Sequence, residues 1–101
     1  MKHHNADIRV REMGYTVEEF AAVLPAAMRD WTVGGGPHRW RVEQHSGSPV
    51  ARIEIEPQAV RQIGVLRLPV LRVSIDLSAT PVALAAEFMR RFDRGFHRGG
   101  G

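Results

Sequence analysis

Leu71-Arg72-Val73-Ser74-Ile75-Asp76-Leu77 alternates apolar and polar residues without a break, then runs through Ser78-Ala79-Thr80-Pro81 into a helical pattern. Alternation with period two predicts a strand that is apolar on one side only. After Pro81, Leu84, Phe88 and Phe92 recur at four-residue spacing, which puts them on one side of a helix. A one-sided strand beside a one-sided helix buries both apolar surfaces when helix packs on sheet. Thr80 is placed to cap the helix, with Pro81 at its first position. Arg90, Arg91 and Arg94 complement the helix dipole near its end. Gly95 is expected to stop the helix in a left-handed conformation, with Phe96 folding back onto it.

Upstream, the run from Val50 to Glu56 alternates in the same way. Ala51, Ile53 and Ile55 face one side; Arg52, Glu54 and Glu56 face the other. His38 to Glu43 repeats the pattern, with Trp40 and Val42 on the apolar side, and the turn Ser46-Gly47-Ser48-Pro49 makes these two runs an antiparallel hairpin. Asp7 to Arg11 reads as a short first strand. Thr16-Val17-Glu18-Glu19 has the form of a capping box. The helix it opens carries Phe20, Val23, Leu24, Ala27 and Met28 on one face, and Pro25 is expected to kink it or to split off its last turn. Trp31 to Val33 suggests a further strand, with Gly34-Gly35-Gly36-Pro37 as a hairpin connection. From Gln58 to Leu68 the apolar parity shifts at Val65-Leu66, and Pro69 donates no backbone hydrogen bond. The expectation there is a turn and one strand that bulges near Pro69 and continues to Leu77.

The fold class is thus α+β. It is a two-layer sandwich in which one mostly antiparallel sheet of four or five strands carries two helices on one face. A single domain is expected over residues 1–98, with a flexible glycine tail over 99–101. With 44% hydrophobic and 25% charged residues, a packed core is within reach. The chain has no cysteine, which excludes disulfides, thiolate metal sites and cysteine nucleophiles. It has no apolar run long enough to span a bilayer, and Met1 to Asp7 lacks the apolar centre of a signal peptide. A cytoplasmic protein without membrane contact is expected. The formal charge is +3, carried by 13 arginines and one lysine.

Arg9, Arg11, Arg39, Arg41, Arg52 and Arg72 all fall at outward strand positions in this reading. Such a face suits phosphate or single-stranded nucleic acid. Against that, Trp40 points to the core side, leaving no platform on which bases stack, and Glu43, Glu54, Glu56 and Asp76 are interleaved for cross-strand pairing. Arg90, Arg91, Arg94, His97 and Arg98 form a second basic cluster, suited to an acidic partner. The run from Ile63 to Leu71 is unusually apolar for a thin domain. Leu66, Leu68 and Val70 are expected at a dimer or partner interface.

The histidines lack metal-ligand spacing, and Glu18 and Glu19 point different ways around their helix. Gly34-Gly35-Gly36-Pro37 is followed by no Lys-Ser/Thr pair and so is no phosphate loop. Neither a cofactor nor a metal is implied. The terminal Arg98-Gly99-Gly100-Gly101 resembles the diglycine tail of ubiquitin-like sulfur carriers over those four residues. The family tail follows a strand and ends in two glycines, whereas this one follows a predicted helix and ends in three. The function expected is therefore that of a small, non-enzymatic accessory module. It would bind a protein partner or a second copy of itself, through a sheet edge or the basic C-terminal helix. Polyanion binding through the arginine face is the alternative. A small enzyme or small-molecule binder working between helices and sheet is a further one.

Overall fold

Val73 and Ile75 are fully buried while Arg72 stays exposed, as alternation on a half-covered sheet requires. The structure, a computed structural model, describes residues 6–97. Its main sheet has five antiparallel strands: β1 (Ile8–Met13), β2 (Thr32–Gly35), β3 (Arg39–Glu43), β4 (Pro49–Pro57) and β7 (Leu71–Asp76), in the spatial order β1-β7-β4-β3-β2. Helices α1 (Val17–Met28) and α2 (Val82–Gly95) cover one face. A separate hairpin of β5 (Arg61–Ile63) and β6 (Leu66–Leu68) stands outside this sheet. The α+β architecture follows from the alternating strands and one-sided helices.

The core lies between the two layers. Phe20, Leu24 and Met28 from α1 and Phe88 and Phe92 from α2 meet Val42, Ile53, Val73 and Ile75 of the sheet, all essentially without solvent exposure. Phe96 turns back and stacks on Phe20, with ring centroids 4.8 Å apart, and the Tyr15 hydroxyl donates to the Phe96 carbonyl at 3.0 Å. Helix α1 starts in a complete capping box. The Glu19 N–H donates to Thr16 Oγ1 at 3.0 Å, and the Thr16 N–H donates to Glu19 Oε1 at 2.9 Å.

Four local expectations are corrected. Pro25 neither ends nor splits α1, which runs unbroken to Met28; the ring faces solvent, and the Pro25 carbonyl still accepts from the Arg29 N–H at 3.2 Å. Thr80 is not the cap of α2. Its hydroxyl donates instead to the Val50 carbonyl, so Pro81 occupies the cap position without a side-chain cap bond. Gly95 is helical and is not the left-handed stop. A Cβ there would lie 2.3 Å from the Ala27 Cβ, so the absent side chain lets α2 approach α1. Gly34 and Gly35 belong to β2, so the connection to β3 is shorter than the glycine run implied.

The stretch after Pro57 differs most. In place of one bulged strand there are two short strands, β5 and β6, paired with each other around Gly64-Val65. Gly64 has φ +60°, the positive value that a two-residue hairpin turn needs at its first central position. Pro69 then interrupts pairing before β7 begins. The apparent parity shift is therefore a chain reversal, which swaps strands and leaves alternation intact within each.

Candidate interaction surface

The β5–β6 hairpin forms a finger at one end of the sheet. It grows from the central strands: Pro57 pairs with Leu71, the Gln58 N–H donates to the Val70 carbonyl at 2.9 Å, and the chain then leaves the ladder. Within the finger Arg61 pairs with Leu68, Gln62 with Arg67 and Ile63 with Leu66. Directly paired residues share a face. Ile63, Leu66 and Leu68 therefore line one side together with Arg61, and Gln62 and Arg67 line the other. Ile63 is 56% exposed, Leu66 58% and Val65, at the tip, 96%. At the base, Arg61 reaches Glu12 at 3.7 Å, beside a small cleft lined by Met13, Gly14, Leu68, Pro69 and Val70. Of the expected interface residues, Leu66 and Leu68 stand exposed on the finger, and Val70 is half-buried where it joins the body. Ile63 and Val65 belong with them. The signal for both was the Gly64-Val65 pair between two short alternating runs, a hairpin pattern with glycine first.

The arginine-rich sheet face divides differently from the expectation. Arg9 pairs with Ile75 and Arg11 with Val73, so both stand on the helix side of β1 and not on the open face. There Arg9 bonds Asp7 at 3.0 Å, and Arg11 pairs with Asp93 of α2. Their places on the open face are taken by Ile8 and Val10, which pair with Asp76 and Ser74. The phase differs from the expected one because β1 is an outer strand. Beyond the helices' cover its charged residues can occupy the core-side parity and still reach water.

Arg39, Arg41, Arg52 and Arg72 do lie on the open face, each among carboxylates. Arg39 bonds Glu54 at 3.2 Å and Arg41 approaches Glu43 at 3.8 Å. Arg52 is paired in register with Asp76, and Arg72 stands between Glu12 and Glu56. A concavity of about 300 Å³ on this face is lined by Arg39 and Arg72 but equally by Glu54 and Glu56. The Asp76 carboxyl is held below its usual range, first by the Ser78 hydroxyl and then by the Ser78 backbone N–H.

The basic end of α2 is similarly engaged. Arg91 is a structural clamp: its side chain is only 16% exposed and lies over the Trp31 ring at 3.8 Å. It donates to the Met28 carbonyl at 2.7 Å, to Asp30 at 2.9 Å and to Glu87 at 2.9 Å. One cation thereby ties the C-terminus of α1 to α2, where the helix dipole favours it. Arg90 pairs with Glu87 at 2.6 Å. The Glu87 carboxyl is held low, first by Arg91 and then by Arg90, and Asp30 is held low chiefly by Arg91. Arg94 is exposed, while Arg98 and the Gly99–Gly101 tail lie outside the described residues.

The space between helices and sheet is filled by the aromatic core. A cleft of about 470 Å³ lies at its margin, between the end of β1 and the end of α2, lined by Arg11, Met13, Tyr15, Phe92, Asp93 and Phe96 among others. Among the described residues no three His, Asp or Glu side chains are grouped to hold a metal ion, and no helix is long and apolar enough to cross a membrane. No protein-family model, curated protein or solved structure matches the chain.

Proposed function

We propose that this chain is a non-enzymatic interaction module that engages a protein partner through the apolar finger. The observation that carries the reading is the exposure of Ile63, Val65 and Leu66 on a hairpin outside the main sheet. A two-stranded hairpin is marginal in water without a surface to pack on, and clustered exposed apolar side chains mark contact sites. The other surfaces offer less. Arg90 and Arg91 are engaged within the fold, and the open sheet face balances its arginines with carboxylates, which weakens the polyanion alternative. The aromatic core fills the interlayer itself, which confines the small-molecule alternative to the cleft at its margin.

The test is affinity capture from the native host with the parent chain and with a Val65→Asp, Leu66→Asp variant. A specific partner retained by the parent and lost by the variant, with the circular dichroism spectrum unchanged, is the expected result. A set of captured proteins indifferent to the substitutions would refute the finger as the docking element.

A further inference from the structure

We infer that the finger's partner is a second copy of this chain, and that two copies exchange fingers across a two-fold axis, each finger lying over Ile8 and Val10 of the other. This rests on the interaction reading above and names the partner it leaves open. Two apolar patches stand uncovered among the described residues. One is the finger; the other is the pair Ile8 and Val10, each about half exposed on an otherwise charged sheet face.

The second patch coincides with a free strand edge. The Asp7 carbonyl accepts from the Leu77 N–H at 2.8 Å, which sets the phase of the β1–β7 ladder. Odd-numbered residues of β1 bond inward to β7, so the backbone groups of Ile8, Val10 and Glu12 point to the open edge. Among the described residues, Ile8 and Val10 thus present apolar side chains together with unpaired backbone, the combination that pairs with another chain unless it is covered.

One molecule does not cover one patch with the other. The finger leaves the sheet at the Pro57–Leu71 rung, which is the Met13 end of β1, and Ile8 lies at the opposite end, beside Asp76. Folding the finger back would break the Gln58–Val70 bond at its root. A two-fold exchange covers both patches at once, because an isologous contact pairs finger with β1 and β1 with finger. It also doubles the contact that one finger makes, towards the roughly 800 Å² per partner of a stable interface.

Charge favours this arrangement over finger against finger. From Pro57 to Ile75 the sequence has no acidic residue, and Arg61 stands on the same side of the finger as Ile63, Leu66 and Leu68. A second finger would oppose like charge with like, whereas the β1 face places Asp76 next to Ile8.

The chain has no cysteine, so single thiols can be placed at will. Val10→Cys and Leu66→Cys are prepared separately, and both positions are exposed enough for the fold to be retained. A short bis-maleimide crosslinker should join an equimolar mixture through a 10–66 linkage, identified by peptide mass spectrometry. Leu66→Cys alone should stay uncrosslinked. The unmodified chain should sediment as a dimer, and the Val65→Asp, Leu66→Asp variant as a monomer with an unchanged circular dichroism spectrum. Linkage within Leu66→Cys alone would overturn the exchange geometry. A strict monomer at concentrations on the order of 100 μM would overturn self-association. If that monomer still captures a finger-dependent protein, only the present inference fails; if it captures none, the interaction reading fails with it.

Discussion

Replacing Gly95 by alanine sets two effects against each other, and the packing of α1 on α2 decides between them. Helix propensity alone favours the change by about 0.5–1 kcal/mol, because alanine restricts the unfolded chain more than glycine does. The packing opposes it. A Cβ at position 95 would sit 2.3 Å from the Ala27 Cβ and 3.0 Å from the Ala27 Cα, whereas carbon atoms attract best at about 3.5–4.0 Å. Both neighbours belong to α1 at or beside its backbone, so no flexible side chain can swing aside. The helices must separate, and overpacking of this kind costs about 1–3 kcal/mol. The net expectation is a loss of up to about 2.5 kcal/mol, centred near 1 kcal/mol, or some 4–8 °C in Tm for each kcal/mol. Ala27→Gly by itself loses about 1 kcal/mol of helix propensity. Combined with Gly95→Ala, however, it removes the nearer of the two contacts and leaves only the 3.0 Å approach to the Cα of residue 27. The double variant should therefore be more stable than the sum of the single effects by at least about 1 kcal/mol, well beyond the scatter of independent sites. Urea unfolding, followed by far-ultraviolet circular dichroism and by the fluorescence of Trp31 and Trp40, measures all four corners of the cycle. A Gly95→Ala chain more stable than the parent, or single effects that add within about 0.5 kcal/mol, would refute the close crossing of the two helices.

Phe88→Ala should cost about 3–5 kcal/mol in the same assay, since a fully buried ring leaves a cavity; a loss under about 1 kcal/mol would contradict its central place. Thr80→Val should lower stability by roughly 0.5–1.5 kcal/mol, because the Val50 carbonyl loses its hydroxyl donor. Glu87 and Asp30 have carboxyls held low mainly by Arg91, so their stabilising pairing is complete above their unfolded values and is lost as pH falls through the folded ones. The urea midpoint should decline below about pH 4.5, and the gap between the parent and Arg91→Met should narrow from pH 7 to pH 3; a gap independent of pH would sink the clamp's electrostatic part. At concentrations low enough for the parent to be monomeric, Val65→Asp with Leu66→Asp should change stability by less than about 0.5 kcal/mol, as substitutions away from the core do, and a larger loss there would mean that the finger packs on its own body.

Much of the fold was legible because burial is written into periodicity. Leu71 to Leu77, Val50 to Glu56 and the Leu84–Phe88–Phe92 spacing each name their buried side without reference to any partner. Thr16 and Glu19 similarly announced the start of α1 through a bond only three residues long. Less of the candidate surface was legible. Excess apolarity points to Leu66 and Leu68, but it does not separate a finger from a bulged strand, since a parity shift looks the same whether a chain bulges or reverses. Arg9 and Arg11 were assigned to the wrong side because alternation gives two faces without saying which one the helices cover.

Sequence by itself determined the local and periodic features: one-sided strands, one-sided helices, the capping box and the absence of thiol chemistry. These depend on residues within a few positions of one another. Only the tertiary structure decided that Gly95 serves a helix crossing, that Arg91 locks α1 to α2, that Thr80 ties to β4, and that Ile63 to Leu66 stand clear of the sheet. Each of those outcomes depends on which segments meet across long stretches of chain, and local periodicity carries no record of such meetings.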